Sequence, residues 1–309
     1  MSSLPDPGLA IDLNDVGSAE SAPESVKARV RALYELGKPN LSAMVSVSGL
    51  LGYQLARPEF HILSAALLAL GLWLTSFGAC GLNMVVEREL DARMRRTRER
   101  PIPSGRLGAT RAAFAAIVAF AIGFCVLWTT FGWLPAALSV FTAVVYLFVY
   151  TPLKSRGPIA TWVGAVPGAV PPLMGWAAAT ARLDAPAFGL FSVLFFWQIP
   201  HFFALAWMYR DDYRRGGFDF VPDGADRSIA IQMVLSATCL LFGSASLVLM
   251  GSAGYVYGVG ALAFGGAYFV ATLRMLGAQS PGRARSVFLW SIAYLPLLLV
   301  VLFVDGLIR

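Results

Sequence analysis

Long apolar segments recur at short intervals along almost the whole sequence. Each has roughly 18 to 24 mostly apolar residues, long enough to cross a hydrocarbon core of about 30 Å as an α-helix that rises about 1.5 Å per residue. Only 14% of the residues are charged, compared with about 25% in soluble proteins. We therefore predict an all-α integral membrane protein, a bundle of nine transmembrane helices. The predicted spans are 38–57, 60–83, 109–130, 132–151, 160–179, 186–208, 229–250, 254–276 and 286–305.

The basic residues test this count independently, because short cytoplasmic loops collect Lys and Arg while translocated loops do not. With the N-terminus in the cytoplasm, the inner segments and the adjoining helix ends hold 21 of the 24 Lys and Arg residues. The exceptions are Arg57, Arg182 and Arg309. This sorting predicts a cytoplasmic N-terminus and a C-terminus outside. It also explains the net charge of +6 without a nucleic-acid partner.

The first 26 residues carry five acidic side chains and no basic one. Mitochondrial presequences are rich in Arg and poor in acids, so this segment differs from them. We predict that residues 1–37 form a disordered, acidic cytoplasmic tail and that residues 38–309 form one membrane domain. A bacterial inner membrane is the expected location.

The predicted span 160–179 contains three prolines, Pro167, Pro171 and Pro172, among small residues. Proline removes a hydrogen bond from the helical ladder, so this helix is expected to be kinked or interrupted. A broken ladder is tolerated in a membrane only where it is buried in protein or borders a wet cavity. We therefore expect this helix to border a cavity.

Three polar residues, Asn83, Glu87 and Asp91, follow one another at intervals of four at the inner end of the second span. On a helix this spacing places them along one face. Two carboxylates and an amide oxygen are hard ligands of the kind that Mg²⁺ prefers, together with substrate phosphates and water. The alternative interpretation is an ordinary solvated helix end.

An arginine cluster follows the three polar residues and favours a binding site over an ordinary solvated helix end. Arginine presents a planar fork that matches phosphate oxygens, so acids beside arginines indicate a diphosphate site. Some of these arginines are expected to serve membrane topology alone. The cluster consists of Arg93, Arg95, Arg96, Arg98, Arg100 and Arg106.

Two long inner loops, residues 84–108 and 209–228, hold many of the charged residues, and the second has the sequence "RDDYRR" from Arg210 to Arg215. Asp211 and Asp212 are adjacent and diverge by about 100° on a helix, so only one is expected to reach a metal. We favour Asp212, with the Tyr213 hydroxyl near the reacting group. Lys38 and Lys154 add cations at two further inner helix ends, where snorkelling to the interface is the alternative interpretation.

His201 lies inside the predicted span 186–208, after Pro200 and among aromatic residues. Ionisable residues inside a membrane are functional candidates by default. The alternative is a histidine that only packs between helices.

Several of these stretches resemble a known enzyme family. Asn83, Glu87 and Asp91, followed by "RTRERP", are similar to the first acidic motif of the UbiA-type intramembrane prenyltransferases. Within that superfamily, "YTPLK", "WVGAVPGAVPPLMGWAAAT", "WQIPHFFALAW" and "RDDYRRGGF" resemble the branch of protoheme IX farnesyltransferases, or haem O synthases. The resemblance covers about Lys38 to Arg285.

The resemblance implies a nine-helix bundle around a cavity whose cytoplasmic mouth is capped by the two inner loops. It implies an enzyme that uses Mg²⁺ to bind farnesyl diphosphate and transfers the farnesyl group to a vinyl group of haem b, with a hydroxyl added from water. It leaves open whether the protein works alone or beside a haem A synthase.

The resemblance also assigns roles to individual residues. Asn83, Glu87, Asp91 and Asp212 would bind the metal and, with Tyr213, form the catalytic group. The candidates for diphosphate binding are Lys38, Arg96, Arg100, Lys154 and Arg210, and those for haem binding are Trp197, His201 and Phe202.

Two departures from the family pattern leave the number of Mg²⁺ ions open. Glu87 stands where much of the superfamily has Asp, and the second loop lacks two acids spaced four apart. The sequence also allows two other functions. One is a related prenyltransferase acting on a quinone or chlorophyll precursor, and the other is a haem-binding or transport protein without enzymatic activity.

Overall fold

The computed structural model describes residues 25–57, 59 and 61–308, and regular structure in these ranges is entirely helical. Most of the long helices follow the predicted apolar segments. The α-helices are α1 Val26–Leu36, α2 Pro39–Ala56, α3 Ile62–Val86, α4 Arg88–Arg93, α5 Ala109–Phe131, α6 Trp133–Val144, α7 Thr151–Leu153, α8 Ile159–Ala169, α9 Pro171–Thr180, α10 Ala185–Met208, α11 Arg210–Arg215, α12 Asp226–Leu249, α13 Tyr255–Gly277 and α14 Pro281–Ile308. A π-helical segment, Val145–Tyr150, joins α6 to α7.

Seven helical stretches in the described part of the chain are long and apolar enough to cross a membrane. They are α3, α5, the continuous stretch from α6 to α7, α10, α12, α13 and α14. The protein is therefore a multi-pass membrane protein. Two further predicted spans also form helices but fall short of this standard. Helix α2 carries Asn40, three serines and Gln54, and the segment 159–180 is divided into α8 and α9.

The division between α8 and α9 confirms the predicted interruption of the proline-rich span. Helix α8 ends at Ala169 and α9 begins at Pro171, with Val170 between them. Pro171 and Pro172 have no N–H group, so the ladder cannot continue through them. Pro167, Gly168 and Pro171 line a cavity, as expected for a broken helix in a membrane protein.

Helix α9 packs against α2 at very short range through glycines. A Cβ atom on Gly175 would collide with the backbone carbonyl oxygen of Gly49, and one on Gly52 would collide with that of Pro172. Small residues allow this close approach between helices in a membrane. The contact fixes the proline-rich helix against the helix that begins beside Lys38.

The π-helical segment has a local cause in the sequence. Pro152 cannot donate a hydrogen bond, and its ring crowds the carbonyl four residues earlier, so the preceding turn widens. The Thr151 N–H donates to the Tyr146 carbonyl, five residues back, and the Thr151 hydroxyl donates to the same oxygen over 2.9 Å. The rings of Tyr146 and Tyr150 stack at 5.7 Å, and both line the cavity.

The prediction of a disordered tail over residues 1–37 is wrong for residues 26–36, which form α1. The prediction rested on the acids that precede this segment and overlooked its helical periodicity. Ala32 and Leu36 are fully buried, and Leu36 packs with Phe77 and Met84 of α3. Residues 1–24 lie outside the described part of the chain, so the remainder of that prediction is untested.

Candidate active site

A cavity of about 290 Å³ lies between the helices and beneath the two inner loops. Its polar lining comes mainly from the first inner loop and the nearby helix ends, while the spans contribute a mostly apolar wall. The polar residues are Lys38, Thr75, Ser76, Glu87, Asp91, Arg96, Thr97, Arg100, Ser139, Thr142, Lys154 and Gln198. The apolar and aromatic residues include Leu41, Val45, Met94, Tyr146, Tyr150, Pro167, Pro171, Met174, Phe202, Tyr213, Phe218 and Phe220.

Asn83 lies at the inner end of α3, fully buried, and all its polar atoms have partners. Its Oδ1 accepts hydrogen bonds from Lys38 Nζ at 3.0 Å and from the Tyr146 hydroxyl at 3.0 Å. Its Nδ2 donates to Thr151 Oγ1 at 3.0 Å. Asn83 thus joins α3 to the π-helical turn and holds Lys38 at the cavity. The Asn83 oxygen already accepts two hydrogen bonds from protein groups, so it is not free to bind a metal.

Glu87 follows the last residue of α3, and its carboxylate forms a buried ion pair with Lys154. Lys154 Nζ donates to Glu87 Oε1 at 2.6 Å, and both residues line the cavity. Burial lowers the pKa of the Lys154 ammonium, and the Glu87 charge acts in the opposite direction. The second oxygen, Glu87 Oε2, has no hydrogen-bond partner among the described residues, so one carboxylate oxygen is free to bind a ligand.

Asp91 lies in α4, is almost fully buried, and pairs with Arg100. Arg100 Nη1 donates to both carboxylate oxygens, at 2.8 and 2.7 Å. The Thr97 hydroxyl donates to the Asp91 backbone carbonyl at 2.8 Å, which closes the loop between the acid and its arginine. Asn83, Glu87 and Asp91 do follow one helical path, although α3 ends at Val86 and α4 begins at Arg88.

The two inner loops are interlocked by Asp212. Its carboxylate accepts the backbone N–H groups of Arg95 at 2.8 Å and Arg96 at 3.3 Å, and a hydrogen bond from Arg215 Nη2 at 2.7 Å. Burial raises the pKa of the Asp212 carboxyl, but the hydrogen bonds from Arg215 and from the two N–H groups outweigh it, so the pKa lies below its ordinary value. Asp212 is not among the residues that line the cavity.

The loop that Asp212 holds presents Arg96 to the cavity. Arg96 Nη2 donates to the Tyr213 hydroxyl at 2.7 Å, and its guanidinium lies over the rings of Tyr213 and Tyr209, at 5.0 and 5.3 Å from their centroids. Tyr213 also lines the cavity. The structure therefore brings Arg96 and Tyr213, which the sequence assigned to separate roles, into direct contact at the cavity.

Arg210 lies away from the cavity lining. Its guanidinium donates to the backbone carbonyls of Val221 at 2.8 Å and Pro222 at 2.6 Å, and it pairs with Asp226 at 3.2 Å. These contacts hold the end of the second inner loop against the start of α12. Arg210 is separated from Lys38, Lys154, Arg96 and Arg100, which all line the cavity.

The three haem-binding candidates on α10 point in different directions. Phe202 lines the cavity, whereas His201 and Trp197 do not. His201 Nδ1 is 2.7 Å from Ser291 Oγ on α14, and its ring stacks on Phe288 at 5.1 Å and on Trp197 at 5.3 Å. The Trp197 indole N–H donates to the Ser291 carbonyl at 2.8 Å. His201 and Trp197 thus lie in the contact between α10 and α14.

The sequence interpretation missed Tyr146 and Thr151, which organise Asn83, and Gln198, which lines the cavity wall. Thr151 lies in the stretch "YTPLK", which pointed only to the family resemblance and to Lys154. A proline one residue after a threonine, at the inner end of a span, is a signal for a widened turn. The signal for Gln198 was its polar amide inside an apolar span, the same kind of signal that singled out His201.

The carboxylates that line the cavity can bind Mg²⁺ only together with oxygen atoms of a substrate. In residues 25–57, 59 and 61–308, no group of three or more His, Cys, Asp or Glu side chains is arranged to hold a metal. The cavity instead presents two carboxylates, Glu87 and Asp91, beside four cationic side chains. Mg²⁺ typically binds one or two carboxylates plus phosphate oxygens and water, so this arrangement suits a magnesium diphosphate better than the bare ion.

Comparisons with known proteins identify the family of this chain. Residues 45–292 match the UbiA prenyltransferase family. A protoheme IX farnesyltransferase of Anaeromyxobacter sp. (strain Fw109-5) is 41% identical over 94% of this chain and 98% of the relative. Another, from Solibacter usitatus (strain Ellin6076), is 38% identical over 89% of this chain and 99% of the relative.

Solved structures share the fold at low sequence identity. A digeranylgeranylglyceryl phosphate synthase has a TM-score of 0.78 at 15% identity, covering 91% of this chain and 99% of that chain. A UbiA homologue from Archaeoglobus fulgidus bound to GPP and Mg²⁺ has a TM-score of 0.62 at 14% identity, covering 88% of this chain and 99% of that chain. The buried acid and base pairs, the match over most of the sequence and the shared fold lead to one conclusion: the chain belongs to the UbiA prenyltransferase family and is a prenyltransferase.

Proposed function

We propose that the protein transfers the farnesyl group of farnesyl diphosphate to a vinyl group of haem b, giving haem O. The observation that carries this proposal is the pairing of Glu87 with Lys154 and of Asp91 with Arg100 above a largely apolar cavity. The acceptor is proposed from the relatives named protoheme IX farnesyltransferase, which are 38% to 41% identical over most of the chain.

The charges at the cavity suit a diphosphate. Lys38, Lys154, Arg96 and Arg100 outnumber the carboxylates of Glu87 and Asp91, so the site carries an excess of positive charge that an anion would neutralise. Arginines offer preorganised donors to the charge that develops on a leaving diphosphate. We assign these four cations to the diphosphate, and Glu87 Oε2 and Asp91 to a magnesium ion bound with it. That ion would supply Lewis-acid stabilisation of the leaving group.

The second loop and Asn83 have supporting roles in this proposal. Asp212 positions Arg96 through the loop backbone, and Asn83 positions Lys38 and the Tyr146 hydroxyl. The carboxylates that line the cavity are those of Glu87 and Asp91, and together they are sufficient to bind one metal ion. Arg210 secures the second loop, and its effect on the diphosphate is indirect.

The apolar wall has a chemical purpose. Loss of diphosphate from the farnesyl C1 leaves an allylic cation, which must meet the vinyl carbon before water does. A bond then forms between farnesyl C1 and the terminal vinyl carbon. Water adds its hydroxyl to the inner vinyl carbon, and the proton it loses goes to the departing diphosphate. Tyr146, Tyr150, Met174 and Phe202 would shield the cation and face the porphyrin.

The proposed topology has nine crossings, with the N-terminus in the cytoplasm and the C-terminus outside. The seven candidate spans support it, and α2 and the paired α8 and α9 would supply the other two. The distribution of Lys and Arg favours a cavity mouth on the cytoplasmic side. We propose the inner membrane of a bacterium as the location, and a haem A synthase as an enzyme that could use the product.

The decisive experiment is to incubate the purified protein with haem b, farnesyl diphosphate and Mg²⁺ and to measure the mass of the haem product. We expect a haem heavier by one farnesyl group and one hydroxyl. Competition with a quinone precursor tests the alternative acceptor. A farnesylated quinone in place of farnesylated haem would reject the proposed acceptor while keeping the prenyltransferase assignment.

A further inference from the structure

We infer that α1 is an interfacial helix that lies along the membrane surface and binds anionic phospholipid headgroups. Four apolar side chains, Val26, Val30, Leu33 and Tyr34, remain exposed on it, with Val26 at 77% and Val30 at 60%. At about 100° per residue these four occupy one arc of about 100° on the helix. Such an arc on a short helix is a typical membrane-binding face.

The opposite side of α1 is already occupied by protein. Ala32 and Leu36 are fully buried, and Leu36 packs with Phe77, Met84 and Ala112 of the transmembrane core. Glu35 pairs with Arg106 of the first inner loop at 2.7 Å. These contacts fix the rotation of α1, so the apolar arc cannot turn inwards.

The charges of α1 identify the occupant of its exposed face. Lys27 and Arg31 flank one edge of the apolar arc, and Arg29 flanks the other. Cations beside an apolar arc match the phosphates of anionic lipids, while the apolar side chains reach the acyl boundary. Glu35, the acidic residue of this helix, pairs with both Arg31 at 2.8 Å and Arg106 at 2.7 Å, so Lys27 and Arg29 are the main candidates for the lipid phosphates.

The position of α1 in the chain makes a lipid surface accessible to it. Only Gly37 and Lys38 separate α1 from α2, so the helix is tied to the end of a membrane-embedded segment. Its exposed face is thereby held at the level where the transmembrane bundle meets the headgroups. The inference depends on the proposed topology only for which leaflet is bound.

Fluorescence quenching in nanodiscs tests the inference. Single cysteines at Val26, Val30, Lys27 and Arg31 are labelled with a small fluorophore in a Cys125→Ala, Cys239→Ala background, and the same background without an added cysteine serves as the blank, since Cys80 is buried. We expect brominated phospholipid to quench labels at positions 26 and 30, and iodide in the buffer to quench those at 27 and 31. Iodide quenching at all four positions would reject the inference.

Lipid charge provides the second readout. Adding phosphatidylglycerol to phosphatidylcholine nanodiscs should increase bromolipid quenching at position 30, and Lys27→Gln with Arg29→Gln should reduce this gain. Each cation is expected to change the ratio of bound to unbound helix by about fivefold. Protection of position 30 from both quenchers would also overturn the inference, because protein would then cover the face. A chain lacking residues 1–24 would show whether the covering segment is the N-terminal tail or a second copy.

Discussion

Lys154 donates a 2.6 Å hydrogen bond to Glu87, and both side chains line the cavity and are almost completely buried. Removing one member of a buried ion pair leaves the other charge without a partner. This pair therefore ties Glu87, the proposed metal ligand, to the end of the helix that carries Tyr146 and Tyr150, and its disruption should affect activity and stability together.

Glu87→Gln should abolish most turnover. The amide keeps the shape of the side chain but removes the charge that Lys154 and the proposed metal require, so we expect kcat to fall by about 100-fold or more. The measurement is the initial rate of haem product formation at saturating Mg²⁺. Glu89→Gln is the matched control, because Glu89 is exposed and, among the residues that the structure describes, forms its ion pair with Arg88. Equal rates for both variants would contradict the role of Glu87.

Arg100→Gln should weaken binding of farnesyl diphosphate. Arg100 lines the cavity and neutralises Asp91, so its loss removes a phosphate donor and leaves a buried carboxylate unpaired. We expect KM for farnesyl diphosphate to rise by about tenfold or more, which corresponds to about 1.4 kcal/mol. Arg98→Gln is the control, since Arg98 is exposed and does not line the cavity. A similar KM for the two variants would remove Arg100 from the diphosphate site.

Asp212→Asn distinguishes a positioning residue from a metal ligand. The two loop N–H groups can still find one carbonyl oxygen, but Arg215 loses its charged partner and Arg96 is held less firmly. We expect a raised KM for farnesyl diphosphate, with the Mg²⁺ concentration that gives half-maximal rate unchanged. Asp211→Asn, at the exposed neighbouring position, should change neither quantity. A large shift in Mg²⁺ dependence would show that Asp212 binds the metal.

His201→Ala should lower the stability of the protein. The imidazole stacks on Phe288 and contacts Ser291, so its removal should lower the free energy of unfolding by about 1 to 3 kcal/mol. We expect KM for farnesyl diphosphate and the affinity for haem to be unchanged in the folded protein. Phe202→Ala, on the cavity side of the same helix, should instead weaken haem binding. Loss of haem affinity in His201→Ala would return His201 to the haem-binding residues.

Gly175→Ala should disturb the contact between α2 and α9. The added Cβ would meet the Gly49 carbonyl, so the helices must separate, and we expect a loss of about 1 to 3 kcal/mol in stability. Gly266→Ala is the control, because a Cβ there meets nothing within 4 Å and alanine favours a helix by roughly 0.5 to 1 kcal/mol. Thermal unfolding in detergent compares the two. Equal midpoints would show that the close approach is dispensable.

The sequence predicted the parts of this molecule that depend on periodicity. Apolar runs located the spans, the prolines of 160–179 located the break at Val170, and the spacing of Asn83, Glu87 and Asp91 placed them along one helical path. Each of these depends on residues close together in the chain. Amphipathic α1 has the same local origin, but acids in the preceding segment obscured it.

Long-range contacts account for what the sequence did not reveal. Whether Asp212 faces a cavity or the N–H groups of Arg95 and Arg96 depends on how two loops more than 100 residues apart meet. The same limit applies to His201, since Phe288 and Ser291 come from the last span. Residue type identified these side chains as important, but only the packing of distant helices determines what they touch.

The widened turn at Val145–Tyr150 has a consequence for how this helix could be altered. A single-residue deletion within it would convert the turn to regular α-helix, since a π-type turn holds about one residue more than an α-type turn. The widened turn absorbs that extra residue, so the helical segments on either side of the deletion would keep nearly the same orientation relative to each other. Lys154 would stay beside Glu87, while the turn that carries Tyr146 and Tyr150 would tighten. One residue inserted into an ancestral helix could therefore have widened the turn at these two tyrosines, which line the cavity, without disturbing the pairing of Lys154 with Glu87.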